Sequence, residues 1–294
     1  MTSPFMGSSL GLKHRMPLLD EMDAYGLTHA GKVRKENEDH FMLCSLRKHM
    51  DVHFTSLPDV DRMVLPDERL AYLAMVADGV GSGRGGEAAS RYAIASIAQY
   101  VSQSLHAFYT ADPADEEAFL ATLHEAAMQC HAELVDRAQE KERRSMATTL
   151  TLWLGIWPRA YLLQVGDTRC YVFRDDKLTQ ITRDQTMAQD LVDQGVLTRA
   201  DADNTRWAHV LSSAIGGTQS APVVTRLDQS WHNVGLLCSD GLTKHVSDER
   251  IAERLRAMKS AKQVCKDLLK DALAGGGSDN ITIVVGRVLR RDDT

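Results

Sequence analysis

Three aspartates in this 294-residue chain share one local design. In Leu73-Ala74-Met75-Val76-Ala77-Asp78-Gly79 an apolar run ends in Asp-Gly, and Leu236-Leu237-Cys238-Ser239-Asp240-Gly241 ends the same way. The third, Asp279, follows Gly275-Gly276-Gly277-Ser278 and precedes Asn280 and the apolar run Ile281 to Val285. A single Asp-Gly is an ordinary turn dipeptide. Repeated at the ends of core strands, such acids can converge, and converging carboxylates repel one another at several kcal/mol per unpaired buried charge. Few cations stand nearby in sequence, so a divalent metal resolves the conflict. An oxygen-only, acid-rich donor set without a neighbouring His or Cys suits Mg²⁺ or Mn²⁺. Two such ions about 3.5–4 Å apart can share a hydroxide and clamp a phosphate for in-line attack. Upstream, Arg34 precedes the acidic pair Glu38 and Asp39. An arginine can fork onto a phosphate while the acids hold metal-bound waters.

These groups need a scaffold that brings strand ends together. Strand patterns cover Phe41–Leu46, Ala71–Ala77, Leu150–Trp157, Ala160–Val165, Arg169–Phe173, Val234–Cys238 and Ile281–Leu289. Short turns such as Pro158-Arg159 and Gly166-Asp167-Thr168 favour antiparallel pairing. Two long helices separate the second and third strands. One runs from about Glu87 to Leu105 with Ala89, Ala93, Ile97 and Val101 on one face. The other starts at Asp112-Pro113, with Phe119, Leu123, Ala127, Cys130 and Leu134 on its apolar face. Ser247 caps a third helix, and Ser260 with Gln263 forms a capping-box pattern for a fourth. Strands and helices come in blocks, which predicts an α+β layered domain. We expect a mobile arm over residues 1–24 and a single domain over 25–290. A polar excursion over residues 185–217 carries a short helix around Met187–Gln194, ended by Gly195, and a second capped by Thr198.

Composition narrows the function classes. The net charge is −6, from 34 basic and 40 acidic residues, which argues against a nucleic-acid binder. The five cysteines are widely spaced with no C-x-x-C, so neither a disulfide framework nor a zinc site is expected. No signal-peptide pattern opens the chain. The most apolar window, Leu150–Gly166, is broken by Pro158 and Arg159, so we expect no membrane span and a cytoplasmic protein. The histidines form no H-E-x-x-H, and no G-x-S-x-G accompanies Ser239. Trp153 and Trp157 read as core or strand-face residues.

Six segments in order carry a more specific signal: Gly31-x-x-Arg34-x-x-Asn37-Glu38-Asp39; Val76-Ala77-Asp78-Gly79-Val80-Gly81 with Gly86-Glu87; Ala147-Thr148-Thr149; Val165-Gly166-Asp167-Thr168-Arg169; Cys238-Ser239-Asp240-Gly241; and Gly277-Ser278-Asp279-Asn280-Ile281-Thr282. This series resembles that of the type 2C metal-dependent protein serine/threonine phosphatases in their compact bacterial form, from about Tyr25 to Val288. The resemblance implies a four-layer αββα sandwich of two stacked, mainly antiparallel sheets flanked by helices. It implies hydrolysis of phosphoserine and phosphothreonine by a metal-activated water between two Mn²⁺ or Mg²⁺ ions, without a phosphoenzyme. By position, Asp78 would bridge both metals and the Gly79 carbonyl would bind one of them. Asp240 and Asp279 would bind the other; Glu38 and Asp39 would hold metal-bound waters, and Arg34 the substrate phosphate. Asp167 is expected to order the Gly166 turn, and residues 185–217 to form the family's variable flap. Val80 stands where eukaryotic relatives often have a His, so the acid for the leaving group has no assignment. In Glu142-Arg143-Arg144-Ser145-Met146 an Arg takes the place of an acid that helps bind a third ion in bacterial relatives, which argues against a third metal here. The implied partners are phosphorylated proteins opposite a serine/threonine kinase in signal transduction, with the enzyme a monomer. A non-catalytic, phosphoprotein-binding or scaffold relative is the alternative, which loss of metal ligands would mark; here all the ligand positions are filled.

Overall fold

The computed structural model describes residues 15–48, 68–81, 84–110, 116–140, 146–202 and 205–290. In chain order the elements are β1 (Met22–His29), β2 (His40–Lys48), β3 (Glu68–Ala77), β4 (Gly79–Val80), α1 (Arg84–Thr110), α2 (Glu116–Glu140), β5 (Ala147–Thr148), β6 (Leu150–Ile156), β7 (Arg159–Val165), β8 (Arg169–Arg174) and β9 (Lys177–Gln180). There follow α3 (Met187–Asp193), α4 (Arg199–Ala202), β10 (Val223–Asp228), β11 (Val234–Cys238), α5 (Asp240–Thr243), α6 (Asp248–Arg256), α7 (Ala261–Ala274) and β12 (Ile281–Val288).

Two five-stranded sheets form, in the orders β1-β12-β11-β8-β9 and β10-β7-β6-β3-β2, with antiparallel pairing throughout. A separate ribbon pairs β4 with β5. Side-chain alternation sorts the core into layers. Leu73, Met75 and Ala77 of β3, with Leu150, Leu152 and Leu154 of β6, pack under Ala89, Ala93, Ile97, Leu123, Ala127 and Leu134 of α1 and α2. Leu236 and Cys238 of β11 and Ile281, Ile283 and Val285 of β12 pack under Ile251, Leu255, Val264 and Leu268 of α6 and α7. The intervening residues Ala74, Val76, Leu162, Leu237 and Val284 meet between the sheets. The central strands are covered on both faces, which is why they read as continuous apolar runs. This is the expected αββα arrangement.

The expected boundary at residue 24 moves. β1 begins at Met22 and pairs with β12 from Met22↔Val288 to His29↔Ile281. Before it, the buried Glu21 carboxylate takes two contacts from Arg15, at 2.5 and 2.9 Å, and the Leu18 N–H at 2.8 Å. Asp23 is committed to the fold as well: it accepts from the Ala261 N–H at the start of α7 (3.0 Å) and pairs with Arg287 (3.1 Å). Residues 1–14 of the expected arm lie outside the described residues, as do the Asp112-Pro113 start and the stretch 141–145 bearing on a third metal. α7 is capped by the Ser260 hydroxyl, but the Gln263 side chain reaches back to the Lys259 N–H and not to that of Ser260. The excursion matches its expectation: Thr186 caps α3, Gly195 turns out of it with φ +71, and Thr198 caps α4. It leaves the body at Gln185 and rejoins it where Ile215 bridges Thr148.

Candidate metal centre

The three aspartates come together with Arg34, Glu38 and Asp167 around one cleft of about 870 Å³ at one end of the sandwich. Asp78 sits in the link between β3 and β4. Its backbone is clamped by the β5 segment: the Asp78 N–H donates to the Thr149 hydroxyl (3.0 Å), and its carbonyl accepts from the Thr149 N–H (2.9 Å) and the Thr148 hydroxyl (2.8 Å). The glycines after the acids permit close backbone approach. A Cβ on Gly79 would lie 2.5 Å from the Gly86 carbonyl carbon and 2.9 Å from the Glu38 carbonyl oxygen; one on Gly241 would lie 1.8 Å from the Asn280 carbonyl oxygen.

Asn280 fastens the Arg34 segment to the end of β12. Its side-chain N–H groups donate to the carbonyls of Ala30 (3.1 Å) and Glu36 (2.9 Å), and its side-chain oxygen accepts the Glu38 N–H (2.9 Å). Beside it, Asp39 is 2% exposed. Its Oδ2 accepts from the hydroxyls of Ser239 and Thr282, both at 2.7 Å. Asp279 takes Arg34 Nε on Oδ1 at 2.8 Å and Arg34 Nη2 on Oδ2 at 3.1 Å. Lys244, a turn beyond Asp240, places its ammonium 2.6 Å from Asp240 Oδ2 and 2.7 Å from Asp279 Oδ2.

The electrostatics show how crowded with negative charge this end is. Burial, and then the charges of Asp39, Asp240, Asp167 and Asp279, hold the Asp78 carboxyl well above the usual carboxylate range. Asp39 is pushed up to about 7 by burial, reinforced by Asp240 and Asp279 and opposed by its two hydroxyl donors. Asp167 is pushed up to about 8 by burial and then by Asp240. Asp279 goes the other way: burial raises it, but the hydrogen bonds and charges of Lys244 and Arg34 outweigh that and lower it.

Among the described residues, the carboxylate oxygens Asp39 Oδ1 and Asp240 Oδ1 are buried with no hydrogen-bond partner. Buried polar atoms without partners are rare, and a bound ion can satisfy such oxygens where no donor reaches them. The donor set is all oxygen, which fits a hard divalent cation. Among the described residues no three His, Cys, Asp or Glu side chains are already drawn up as a ready ligand group; Lys244 and Arg34 hold the acids instead.

The cleft thus gathers Arg34, Glu38, Asp78, Gly79, Asp240 and Asp279, with Asp39 buried behind them. Two further residues line the cleft. Asp167 feels Asp240 and bonds its own backbone, and in the same turn the Gly166 N–H donates to the Gln185 side-chain oxygen at 2.7 Å. Lys244 carries no motif signal, although its position four residues after Asp240 is the spacing at which helical side chains meet. The excursion contributes Met187, Asp190, His209, Val210 and Leu211 to the wall of the cleft.

Known proteins resemble the chain over most of its length. The serine/threonine protein phosphatase PstP of Mycobacterium tuberculosis is 35% identical over 223 residues, covering 76% of this chain but 41% of PstP, so the chain matches about two-fifths of that relative's length. A Listeria innocua serine/threonine phosphatase, stp, is 27% identical over 215 residues, covering 72% of this chain and 83% of stp. Among solved structures, the catalytic domain of PstP in complex with two manganese ions superposes with a TM-score of 0.69 at 30% identity, covering 92% of this chain and 99% of that one. The family model for protein phosphatase 2C matches residues 56–274, the greater part of the sequence, and the chain belongs to the protein phosphatase 2C family.

Proposed function

We propose that the chain is a metal-dependent protein serine/threonine phosphatase that hydrolyses phosphoserine and phosphothreonine in proteins. The observation that carries this reading is the convergence of Asp39, Asp78, Asp167, Asp240 and Asp279 at one end of the sandwich, with two buried carboxylate oxygens that no donor among the described residues meets. Asp78, through its carboxylate, and Gly79, through its carbonyl, would hold one ion, with Asp78 shared by the second, which Asp240 and Asp279 complete. Mn²⁺ or Mg²⁺ suits these donors, as in the manganese-bound PstP structure. When bound, a pair of such ions supplies Lewis-acid polarisation of the phosphoryl oxygens and a water acidified toward neutrality.

The protein groups do the positioning. Arg34 stands half-exposed at the mouth of the cleft, where its guanidinium can fork onto a phosphate while Asp279 keeps it oriented. Glu38 and Asp39 serve as acceptors that orient water behind the reacting centre, and the Thr148–Thr149 clamp keeps Asp78 in place. The flap wall around Val210 and Met187 meets the polypeptide that carries the phosphate. We place the enzyme in the cytoplasm, as a monomer opposing a serine/threonine kinase. Among the described residues no helix is long and apolar enough to cross a membrane.

A non-catalytic, phosphoprotein-binding reading draws on Lys244, an internal cation already seated between two of the acids. The two readings separate in one assay. Purified protein should hydrolyse p-nitrophenyl phosphate and a phosphothreonine peptide with Mn²⁺ and stop on addition of EDTA. Asp240→Asn should lower kcat by roughly two orders of magnitude or more, the scale of losing an electrostatic stabiliser, with the melting curve retained. Folded wild-type protein that is inactive with every divalent ion would favour the binding module.

A further inference from the structure

Away from the acids, the two sheets leave space between them. Ala24, Gly286 and Gly235 are register neighbours across β1, β12 and β11. Their flanking residues Tyr25, Val285 and Leu236 face the helices, so these three face the opposite sheet. There Gly155 of β6, next but one to Trp153, also faces inward. The result is a cavity of about 350 Å³ whose walls include Leu43, Tyr72, Trp153, Trp157, Leu227 and Val284, and which shares no lining residue with the catalytic cleft.

The two glycines of the first sheet are not imposed by the fold. Neither has a positive φ, and an added Cβ would meet nothing nearer than 3.8 Å at Gly235 or 3.6 Å at Gly286, ordinary contact distances. Glycine weakens a strand interior and often marks close approach by another group; at these positions none of the described residues comes nearer than ordinary contact. Interiors are otherwise close-packed. A second observation concerns polarity. The indole N–H of Trp157, in the cavity wall, is buried and finds no hydrogen-bond partner among the described residues, although buried indoles usually find an acceptor. At the rim, Arg174 pairs with the exposed Asp175 at 3.1 Å, a contact weak enough to exchange; Asp228, also at the rim, leans toward Arg226 at 3.6 Å.

We propose that this cavity binds a small amphiphile with an apolar body and a carboxylate head, of the size of a medium-chain fatty acid. The glycine floor and the Leu43, Leu227 and Val284 walls take the apolar body. The Trp157 N–H and the Arg174 guanidinium supply the donors a carboxylate needs. The volume lies at the lower end of the roughly 300–1,000 Å³ typical of small-molecule sites.

The test uses the full chain titrated with decanoate, followed by tryptophan fluorescence and by melting temperature; neither readout depends on the phosphatase reading. We expect saturable binding of one equivalent and a rise in melting temperature. Gly235→Val and Gly286→Val each put a β-branched side chain into the cavity, in a strand that suits it, and should abolish both effects while p-nitrophenyl phosphate turnover and far-ultraviolet circular dichroism stay unchanged. Gly286→Ala, a smaller intrusion, covers the case in which valine disturbs the fold and should weaken binding. Trp157→Phe should weaken it by roughly 2- to 10-fold, the worth of one hydrogen bond. No saturable binding to the wild type, or undiminished binding to the filled variants, overturns the proposal. Binding that appears only after removal of residues 1–14 assigns the space to the chain's own N-terminal residues and overturns it equally.

Discussion

Replacing Lys244 with methionine removes the ammonium that Asp240 and Asp279 share and keeps most of the side-chain volume. All three side chains are mostly buried, between 17% and 20% exposed, so water screens the loss only in part. Asp279 still has Arg34, with contacts at 2.8 and 3.1 Å, whereas Asp240 loses the donor on Oδ2 and its Oδ1 is already without one. A hydrogen bond to a charged group is worth about 1.5–3 kcal/mol, and stripping one partner from a fully buried pair costs about 3–5 kcal/mol. Because Arg34 remains and burial is incomplete, we expect a loss of about 2 kcal/mol for Lys244→Met in EDTA. In saturating Mn²⁺ the loss is offset. A metal on Asp240 and Asp279 must displace the lysine from the wild type but not from the variant. The same loss of about 2 kcal/mol then appears as roughly 30-fold tighter metal binding, and the stability deficit closes by mass action. Urea unfolding with EDTA and with Mn²⁺, plus calorimetric titration of Mn²⁺, reads both quantities without any turnover. Equal deficits in the two conditions, together with unchanged metal affinity, would refute competition between Lys244 and the ion.

Three further outcomes follow from the same geometry. Arg34→Ala should raise KM for a phosphopeptide by roughly 10- to 100-fold, with Arg34→Lys restoring only part, because a point charge does not replace a fork; an unchanged KM would remove Arg34 from phosphate binding. Val210→Asp, on the flap wall of the cleft, should lower kcat/KM for phosphoproteins and leave p-nitrophenyl phosphate alone, and equal falls on both substrates would deny the flap a role in recognition. Asp271 joins α6 to α7 by accepting from Arg250 (2.8 Å) and Arg254 (2.7 Å on each oxygen), and these hydrogen bonds lower its pKa below the ordinary aspartate value. A carboxyl depressed in the folded state stabilises above its unfolded pKa of about 4, and that stability is lost as pH falls further. Asp271→Asn should therefore lower the melting temperature at about pH 7, with the deficit shrinking toward about pH 3; a deficit independent of pH would contradict the linkage.

Most of the strands legible in the sequence are buried on both faces; β2, an edge strand, is legible too because Phe41 and Leu43 pack between the sheets. β3, β6, β7, β8, β11 and β12 read as apolar runs because helices cover one side and the other sheet covers the other. Besides the two-residue ribbon strands β4 and β5, those not legible are the edge strands β1, β9 and β10. Edge strands carry charges that blunt further pairing, which erases the apolar pattern. β1 spends Asp23 on the start of α7 and on Arg287, and β10 exposes Val223, Arg226 and Asp228, which breaks the strict alternation of a half-buried strand. β9 is hidden by its turn. Asp175 and Asp176 occupy the two-residue hairpin loop with φ of 49 and 64, values that usually call for Asn-Gly or Asp-Gly.

The site divides along a similar line. Asp78, Asp240 and Asp279 are visible because each lies at one end of a core strand, the first two after β3 and β11 and the third before β12, and strand ends of stacked sheets converge. Their neighbours stand in the same motif segments, but what each one holds is not legible there, because they act through space and through the backbone. Thr148 and Thr149 grip the peptide of Asp78, 70 residues distant; Ser239 and Thr282 grip Asp39; Asn280 grips Ala30, Glu36 and Glu38. These neutral side chains fix the chain's path, so most of the acids are spared from holding the fold together. That division explains how five aspartates can crowd one end of the sandwich. Hydroxyls and an amide carry the structural hydrogen bonds, Lys244 and Arg34 balance part of the charge, and Asp39 Oδ1 and Asp240 Oδ1 are left for something the protein's own donors do not supply. A fold that needed those oxygens for itself would have paired them.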